Sequence, residues 1–97
     1  MRDIAYGIAK TIMDGIKDAE MQYDYAVAAS EIGKPEVAAK HIEEAKKRII
    51  GVREWTDYGA KILSGAKSDA LAPVLVELLN SQQKQALDKI AAFKPGQ

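Results

Sequence analysis

A polar group near the middle of the chain has the residue types that acid–base chemistry requires. His41, Glu44 and Arg48 follow one another at spacings of three and four residues, which places them on one side of a helix. An imidazole, a carboxylate and a guanidinium on one surface can transfer a proton or hold an anion. Glu44 and Arg48 also have the spacing of an ordinary ion pair on a helix surface, so we favour a structural role for the group.

Two tyrosines are expected beside this group if the chain folds back at residues 33–34. Folding there brings Tyr25 to the height of His41 and Tyr23 to the height of Glu44. We expect the first helix to shield most of His41 and to supply its polar neighbour, either Tyr25 or an acidic side chain. The candidate polar cluster therefore has five members: His41, Glu44, Arg48, Tyr23 and Tyr25.

The composition excludes several kinds of site. The chain has 97 residues and no cysteine, which excludes a disulfide scaffold, a thiolate zinc site and a thiol nucleophile. Its single histidine is too few to support a Ser-His-Asp site or a histidine-rich metal site. Lys and Arg total 14, as do Asp and Glu, whereas proteins that bind nucleic acid or anionic membranes are usually basic. We therefore expect no cofactor, no nucleic acid and no membrane among the partners.

Three helical segments must position these residues, in a single helical domain that spans residues 1–97. Gly33 suits the left-handed residue that follows a helix, and Pro35 suits the first turn of the next one. A second break lies at residues 64–69, where a serine or an aspartate can cap a third helix that otherwise begins near Ala72. Between the breaks, apolar residues repeat with the helical period and do not alternate as in strands. The predicted helices are residues 2–32, 35–63 and 69–93.

The lengths of these helices predict how they pack. Short loops imply antiparallel neighbours, so the predicted architecture is all-α, an antiparallel long-helix hairpin plus a third helix. Helices of about 30 residues extend over some 45 Å, and one copy would be a thin rod whose apolar stripes are partly uncovered. We therefore expect a homo-oligomer, most simply a dimer that completes the bundle. Trp55, which should lie near Ile12, and Tyr58 are expected in the core or in the oligomer interface.

Charge is divided unequally between the first two segments. Residues 1–33 carry three basic and six acidic side chains, a net of −3, whereas residues 34–64 carry seven basic and five acidic ones, a net of +2. Opposite signs suit neighbouring antiparallel helices. The division also fits solvated faces with scattered ion pairs, an interpretation that we favour over a dedicated recognition face.

Four glycines lie inside predicted helices, where each costs about 1 kcal/mol relative to alanine. They form two pairs at equal distances from the turn, Gly7 with Gly59 and Gly15 with Gly51. Such pairs lie at the same height in an antiparallel hairpin. The pattern therefore predicts helix packing through these glycines, with a close approach of the two backbones between Gly15 and Gly51.

The helices around the turn share a pattern of glutamate, tyrosine, alanine and glycine. The residues concerned are 20–26, 29, 33, 36–39 and 43–45. Over about residues 18–55, this pattern resembles the helical hairpin of ferritin-like proteins, of the rubrerythrin type and of the small encapsulated ferritins. The resemblance implies a metal site with Glu20 and Glu44 as candidate ligands and iron or manganese as cofactor. The Glu-x-x-His motif of that family is absent, because a lysine stands three residues after Glu43 and after Glu44.

Three functional hypotheses follow. The favoured one is a non-enzymatic helical assembly or protein-interaction module, whose partner is another copy or an unidentified protein. The alternative is a ferritin-like metal-binding or redox protein with a carboxylate site at a subunit interface. The third is a small regulator that binds an acidic or hydrophobic partner through its basic second helix. The chain shows no signal-peptide pattern, and its longest uncharged run, residues 70–76, is too short for a membrane span, so we expect a cytoplasmic protein.

Overall fold

Three helices make up the part of the chain that the structure describes. The computed structural model describes residues 2–65 and 72–94, with side chains over residues 7–59, 61 and 77–94. No strand occurs in these residues, so the all-α prediction is confirmed. Residues 69–71, where the third helix was predicted to begin, lie outside the described residues. The helices are α1 (Arg2–Glu31), α2 (Pro35–Gly65) and α3 (Ala72–Ala92).

The turn between α1 and α2 follows from its glycine, as predicted. Gly33 has a φ of +77°, a left-handed conformation that glycine adopts without the steric cost of a Cβ. The Lys34 N–H donates to the Ala29 carbonyl at 2.9 Å, and the Gly33 N–H donates to the Ser30 carbonyl at 3.1 Å. These two bonds are those of a Schellman motif and satisfy carbonyls at the end of α1. Pro35 then begins α2 at a position where its missing N–H costs nothing.

α1 and α2 contact each other both near the turn and far from it. Residues at similar distances from the turn on the two helices lie next to each other. Close to the turn, Gln22 contacts His41. Farther away, Gly15 lies against Val52 and Ile8 against Gly59. The two helices therefore lie side by side over most of their length.

α3 is shorter and covers only part of this pair. Near its end, the Phe93 ring meets the Tyr23 ring edge-to-face, with 5.9 Å between the centroids. The Lys89 ammonium lies 5.8 Å from the centre of the same ring, within the range of a cation–π contact. The last described turn of α3 thus reaches the height of Tyr23, and the remaining residues of α1 extend beyond it toward the turn.

The predicted apolar stripes are the buried surfaces of the helices. The four largest fully buried side chains are Ile12, Ile16, Ile49 and Leu79, and burying each stabilises the fold by roughly 1.5–3 kcal/mol. Together the helices form a rod of 52 × 17 × 16 Å. None of them, over the residues described, is long and apolar enough to cross a bilayer. The other buried residues that recur with the helical period are Ile8, Ala19, Ala26, Ala38, Ala45, Val52, Thr56, Gly59, Gln83, Ala86 and Ile90.

Candidate functional site

The structure brings His41 and Tyr25 together, as the sequence predicted, but gives the imidazole a different hydrogen-bond partner. Their ring centroids are 5.4 Å apart and the rings are tilted by 56°. His41 Nδ1 lies 2.8 Å from Gln22 Oε1. Because an amide oxygen only accepts, Nδ1 carries the proton in this bond. The predicted neighbour Tyr25 therefore contacts His41 through its ring, whereas the hydrogen bond is to Gln22, which is half-buried like His41 itself.

Gln22 was missed although the sequence contains a signal for it. It stands three residues before Tyr25, and residues three apart on a helix are neighbours on one face. A side chain placed beside Tyr25 therefore also faces His41. An amide can donate and accept, so it satisfies a half-buried imidazole without a second charge.

Tyr23 does not belong to the predicted cluster. Its ring packs on Phe93 and Lys89 of α3, whereas Tyr25 packs on His41 of α2. Two residues along a helix correspond to a rotation of about 200°. Tyr23 and Tyr25 therefore cannot share a face, and only Tyr25 reaches the polar group.

Glu44 and Arg48 form the ordinary surface pair that the sequence suggested. Arg48 Nη1 lies 3.4 Å from Glu44 Oε2, and both side chains are exposed. A solvated pair of this spacing contributes about 0–1 kcal/mol. The carboxylate is thus paired with the guanidinium, while His41 is bonded to a neutral amide. The structure therefore does not join the His41 imidazole to the Glu44 carboxylate.

We expect the His41–Gln22 bond to contribute to stability. Replacing His41 with alanine, or Gln22 with methionine, should each lower the free energy of unfolding by about 1 kcal/mol. Combining the two changes should show a coupling of about 0.5–1.5 kcal/mol, measured by urea unfolding of the four proteins. Gln85→Met, on an exposed position of α3, is the control and should change little. A coupling near zero would show that the bond is not formed in solution.

A cleft of about 390 Å³ lies between α1 and α2. It is lined by carboxylates on the α1 side and by a guanidinium and an indole on the α2 side. Trp55 is 48% exposed, and its ring meets that of Tyr58 edge-to-face at 5.9 Å. Trp55 therefore lies near Ile12, as predicted, but at the surface of this chain and not in its core. The lining residues are Thr11, Ile12, Asp14, Gly15, Asp18, Arg48, Gly51, Val52 and Trp55.

The predicted pairing of the glycines is wrong. A Cβ built on Gly15 would lie 2.5 Å from Val52 Cγ2, so Gly15 faces Val52, whereas nothing lies within 4 Å of such an atom on Gly51. Gly59 in turn faces Ile8 at 2.6 Å, and Gly7 faces open space. Successive residues on a helix are rotated by about 100° from one another. The residue opposite Gly15 is therefore Val52, with a branched side chain, where a contact with the backbone of Gly51 was predicted. Gly15 and Gly59 therefore accept aliphatic groups, and Gly51 lines the exposed cleft.

The two candidate metal ligands do not form a site with each other. Glu44 is paired with Arg48 beside the cleft. Glu20 stands three residues before Tyr23 and thus on the side of α1 that faces α3. Among the residues that the structure describes, no three His, Asp or Glu side chains converge as a metal site would require. The alternative of a carboxylate site at a subunit interface, with Glu20 and Glu44 as ligands of iron or manganese, stays a prediction.

Two rows of side chains flank the cleft at intervals of seven residues, the spacing of a heptad. The α1 row runs from Thr11 through Asp18 to Tyr25, and the α2 row runs from His41 through Arg48 to Trp55. Seven residues fall about 20° short of two full turns, so each row stays on one side of its helix. We call the surface formed by these six residues the open face: Thr11, Asp18, Tyr25, His41, Arg48 and Trp55.

α3 lies on a different side of the α1–α2 pair. A second, smaller cleft of about 280 Å³ separates α2 from α3, and Arg53, Lys84 and the buried Gln83 are among its lining residues. None of the residues of that cleft lines the first one. The open face is therefore the side that α3 leaves uncovered.

No family model, curated protein or solved structure matches this chain. Its function is therefore inferred from its own surfaces, among them the open face, which combines exposed aromatic rings with charged groups.

Proposed function

We propose that this protein is a non-enzymatic helical assembly module that docks another helical surface on its open face. In this proposal, α1 and α2 form an antiparallel hairpin with α3 on one side, and oligomerisation completes the bundle on the other. The observation that carries the proposal is the exposure of aromatic side chains along the open face. Tyr25 and Trp55 belong to it, and Tyr58 packs against Trp55.

The residue types of the open face support docking. Tyrosine, tryptophan and arginine are the residues most enriched at the energetic centres of protein interfaces. Trp55 and Tyr58 are both about half exposed although they pack on each other. Covering an exposed aromatic pair removes a large apolar area from water at a small cost in side-chain entropy. A partner helix would gain that energy here.

The spacing and depth of the open face support a helical partner in particular. Heptad rows are the pattern with which helices present a seam to other helices. Between the rows, Gly51 lowers the surface of the cleft because it carries no side chain and has open space where one would lie. A partner backbone can therefore approach the hairpin closely at this point.

The concentration dependence of mass and tryptophan emission tests this proposal. Trp55 is the single tryptophan of the chain, so its emission reports only on the open face. We expect the mass from light scattering to exceed the 10.6 kDa of one chain at micromolar concentrations, with a blue shift of the emission as the protein associates. A mass that stays at one chain over this range would overturn the proposal.

Two alanine variants, one beside the open face and one on α3, test which surface mediates association. Tyr58→Ala removes an exposed aromatic ring beside Trp55, and Leu78→Ala removes an exposed apolar side chain from α3. We expect Tyr58→Ala to weaken association at least about tenfold, a loss of about 1.4 kcal/mol. Leu78→Ala should leave association unchanged. Equal effects of the two changes would mean that the open face is not the docking surface.

A further inference from the structure

The open face has charges that complement those of its own copy. Its α1 row carries the carboxylate of Asp18, with Asp14 beside it in the cleft, and its α2 row carries the guanidinium of Arg48. Within the cleft, carboxylates thus lie on the α1 side and the guanidinium on the α2 side. Such a surface is complementary to a second copy of itself if the α1 side of one copy faces the α2 side of the other, because carboxylates then face guanidinium groups.

Residues at the same height on the two rows make the match specific. Tyr25 and His41 contact each other across the hairpin. Because each row advances by seven residues, Asp18 and Arg48 lie at a common height two turns farther from the turn, and both line the cleft. In this chain Arg48 contacts Glu44 at 3.4 Å, and no ion pair joins it to Asp18 among the described residues. The Asp18 carboxylate is therefore available to a partner.

Two ways of turning the second copy can be distinguished by charge. A two-fold axis parallel to the helices sets α1 of one copy on α2 of the other and keeps every residue at its height. Asp18 then meets the partner's Arg48, and Arg48 meets the partner's Asp18. A two-fold axis across the helices at the height of Asp18 instead sets α1 on α1, so that Asp18 faces the partner's Asp18 and Arg48 faces the partner's Arg48. Like charges in direct contact are unfavourable, and the first arrangement is favoured.

We infer that the occupant of the open face is a second copy of this chain, related by a two-fold axis parallel to the helices. Each α1 then packs on the α2 of the partner, with two reciprocal Asp18–Arg48 ion pairs. This inference rests on the proposed function and specifies its partner. The whole molecule is a rod of 52 × 17 × 16 Å, so one long side of it offers about the 800 Å² per partner that a stable interface needs.

Charge reversal of the two members of the pair tests the arrangement. In the Arg48→Glu homodimer, the introduced glutamate of each copy faces Asp18 of the other copy. In the Asp18→Arg homodimer, the introduced arginine of each copy faces Arg48 of the other copy. Each variant should raise the dissociation constant of its homodimer at least about tenfold. An equimolar mixture of the two should restore association, because the heterodimer has two attractive pairs: the native Asp18–Arg48 pair on one side and a pair of reversed polarity, between the introduced glutamate and the introduced arginine, on the other. Sedimentation equilibrium and Trp55 emission are the measurements.

Two further proteins complete the test. The double variant Arg48→Glu/Asp18→Arg should self-associate nearly as well as the wild type. Arg53→Glu makes the same charge change at an exposed position of α2 in the other cleft, and it should leave association unchanged. Thermal melts by circular dichroism establish that each variant is folded before its mass is interpreted.

The outcomes separate this inference from the proposed function. A wild-type protein that stays monomeric overturns both. A wild-type protein that associates, but whose two single variants do not recover in the mixture, overturns the two-fold arrangement and leaves the assembly function standing. Recovery in the mixture of Arg48→Glu and Asp18→Arg, with Arg53→Glu associating like the wild type, supports the reciprocal pairing.

Discussion

Replacing Ile49 with alanine is expected to lower the free energy of unfolding by about 2–5 kcal/mol. Ile49 is among the four largest fully buried side chains and is 2% exposed. The change removes three carbon atoms from the core and leaves a cavity that the neighbouring helices can fill only in part. A domain of this size has a total stability near the low end of 5–15 kcal/mol. We therefore expect Ile49→Ala to unfold in part at physiological temperature, as measured by circular dichroism.

The next residue provides the matched control. Ile50 has the same side chain on the same helix but is 59% exposed. Its replacement with alanine should change stability by no more than about 0.5 kcal/mol. The slightly better helix propensity of alanine offsets part of the small apolar area that is lost. If Ile50→Ala destabilised the protein as strongly as Ile49→Ala, the assignment of the buried face of α2 would be wrong.

The buried faces of the helices could be predicted because they depend only on the helical period. A residue such as Ile49 continues a stripe with Ala45 and Val52, and the rotation of about 100° per residue fixes which side chains share that stripe. The turn at Gly33 could be predicted for a similar reason, since the left-handed conformation favours one residue type. Neither inference needs knowledge of the neighbouring helix.

The contacts between helices could not be predicted in the same way. The position of one helix against another is set by how side chains interdigitate, and a shift of one residue exchanges one face for another. Counting from the turn placed Gly51 opposite Gly15, whereas Val52 occupies that position. The same limit applies to Tyr23. Its height along the hairpin could be counted from the turn, but which of two neighbouring helices it contacts depends on where α3 lies.

The open face illustrates a further difference between fold and site. The heptad spacing of Asp18 and Tyr25 on α1 is present in the sequence, as is that of Arg48 and Trp55 on α2. That the two rows flank one cleft becomes evident only when α1 and α2 are placed together and α3 is found on another side. A surface shared by two helices and left open by a third is a property of the packing. Its residues must then be identified from the structure.

Replacing Gly15 with alanine is expected to destabilise the protein, although alanine is the better helix former. The new Cβ would lie 2.5 Å from Val52 Cγ2, well inside van der Waals contact. Val52 is buried, and its β-branched side chain has few alternative rotamers. Overpacking of this kind typically costs about 1–3 kcal/mol, more than the gain of about 1 kcal/mol in helix propensity. The midpoint of thermal unfolding should therefore fall by several degrees, at about 4–8 °C per kcal/mol for a domain of this size.

Gly51→Ala and Val52→Ala are the controls that identify the cause. Gly51 has open space where the new methyl group would lie, so Gly51→Ala should stabilise by about 0.5–1 kcal/mol in dilute protein through helix propensity alone. Val52→Ala removes the Cγ2 that Gly15→Ala would strike. In that background, Gly15→Ala should change from destabilising to stabilising. The same added methyl group should have opposite effects at the two positions, because the space beside Gly15 is filled by Val52 and the space beside Gly51 is open. If Gly15→Ala raised the melting temperature as much as Gly51→Ala does, α1 and α2 would not be packed through Gly15 and Val52.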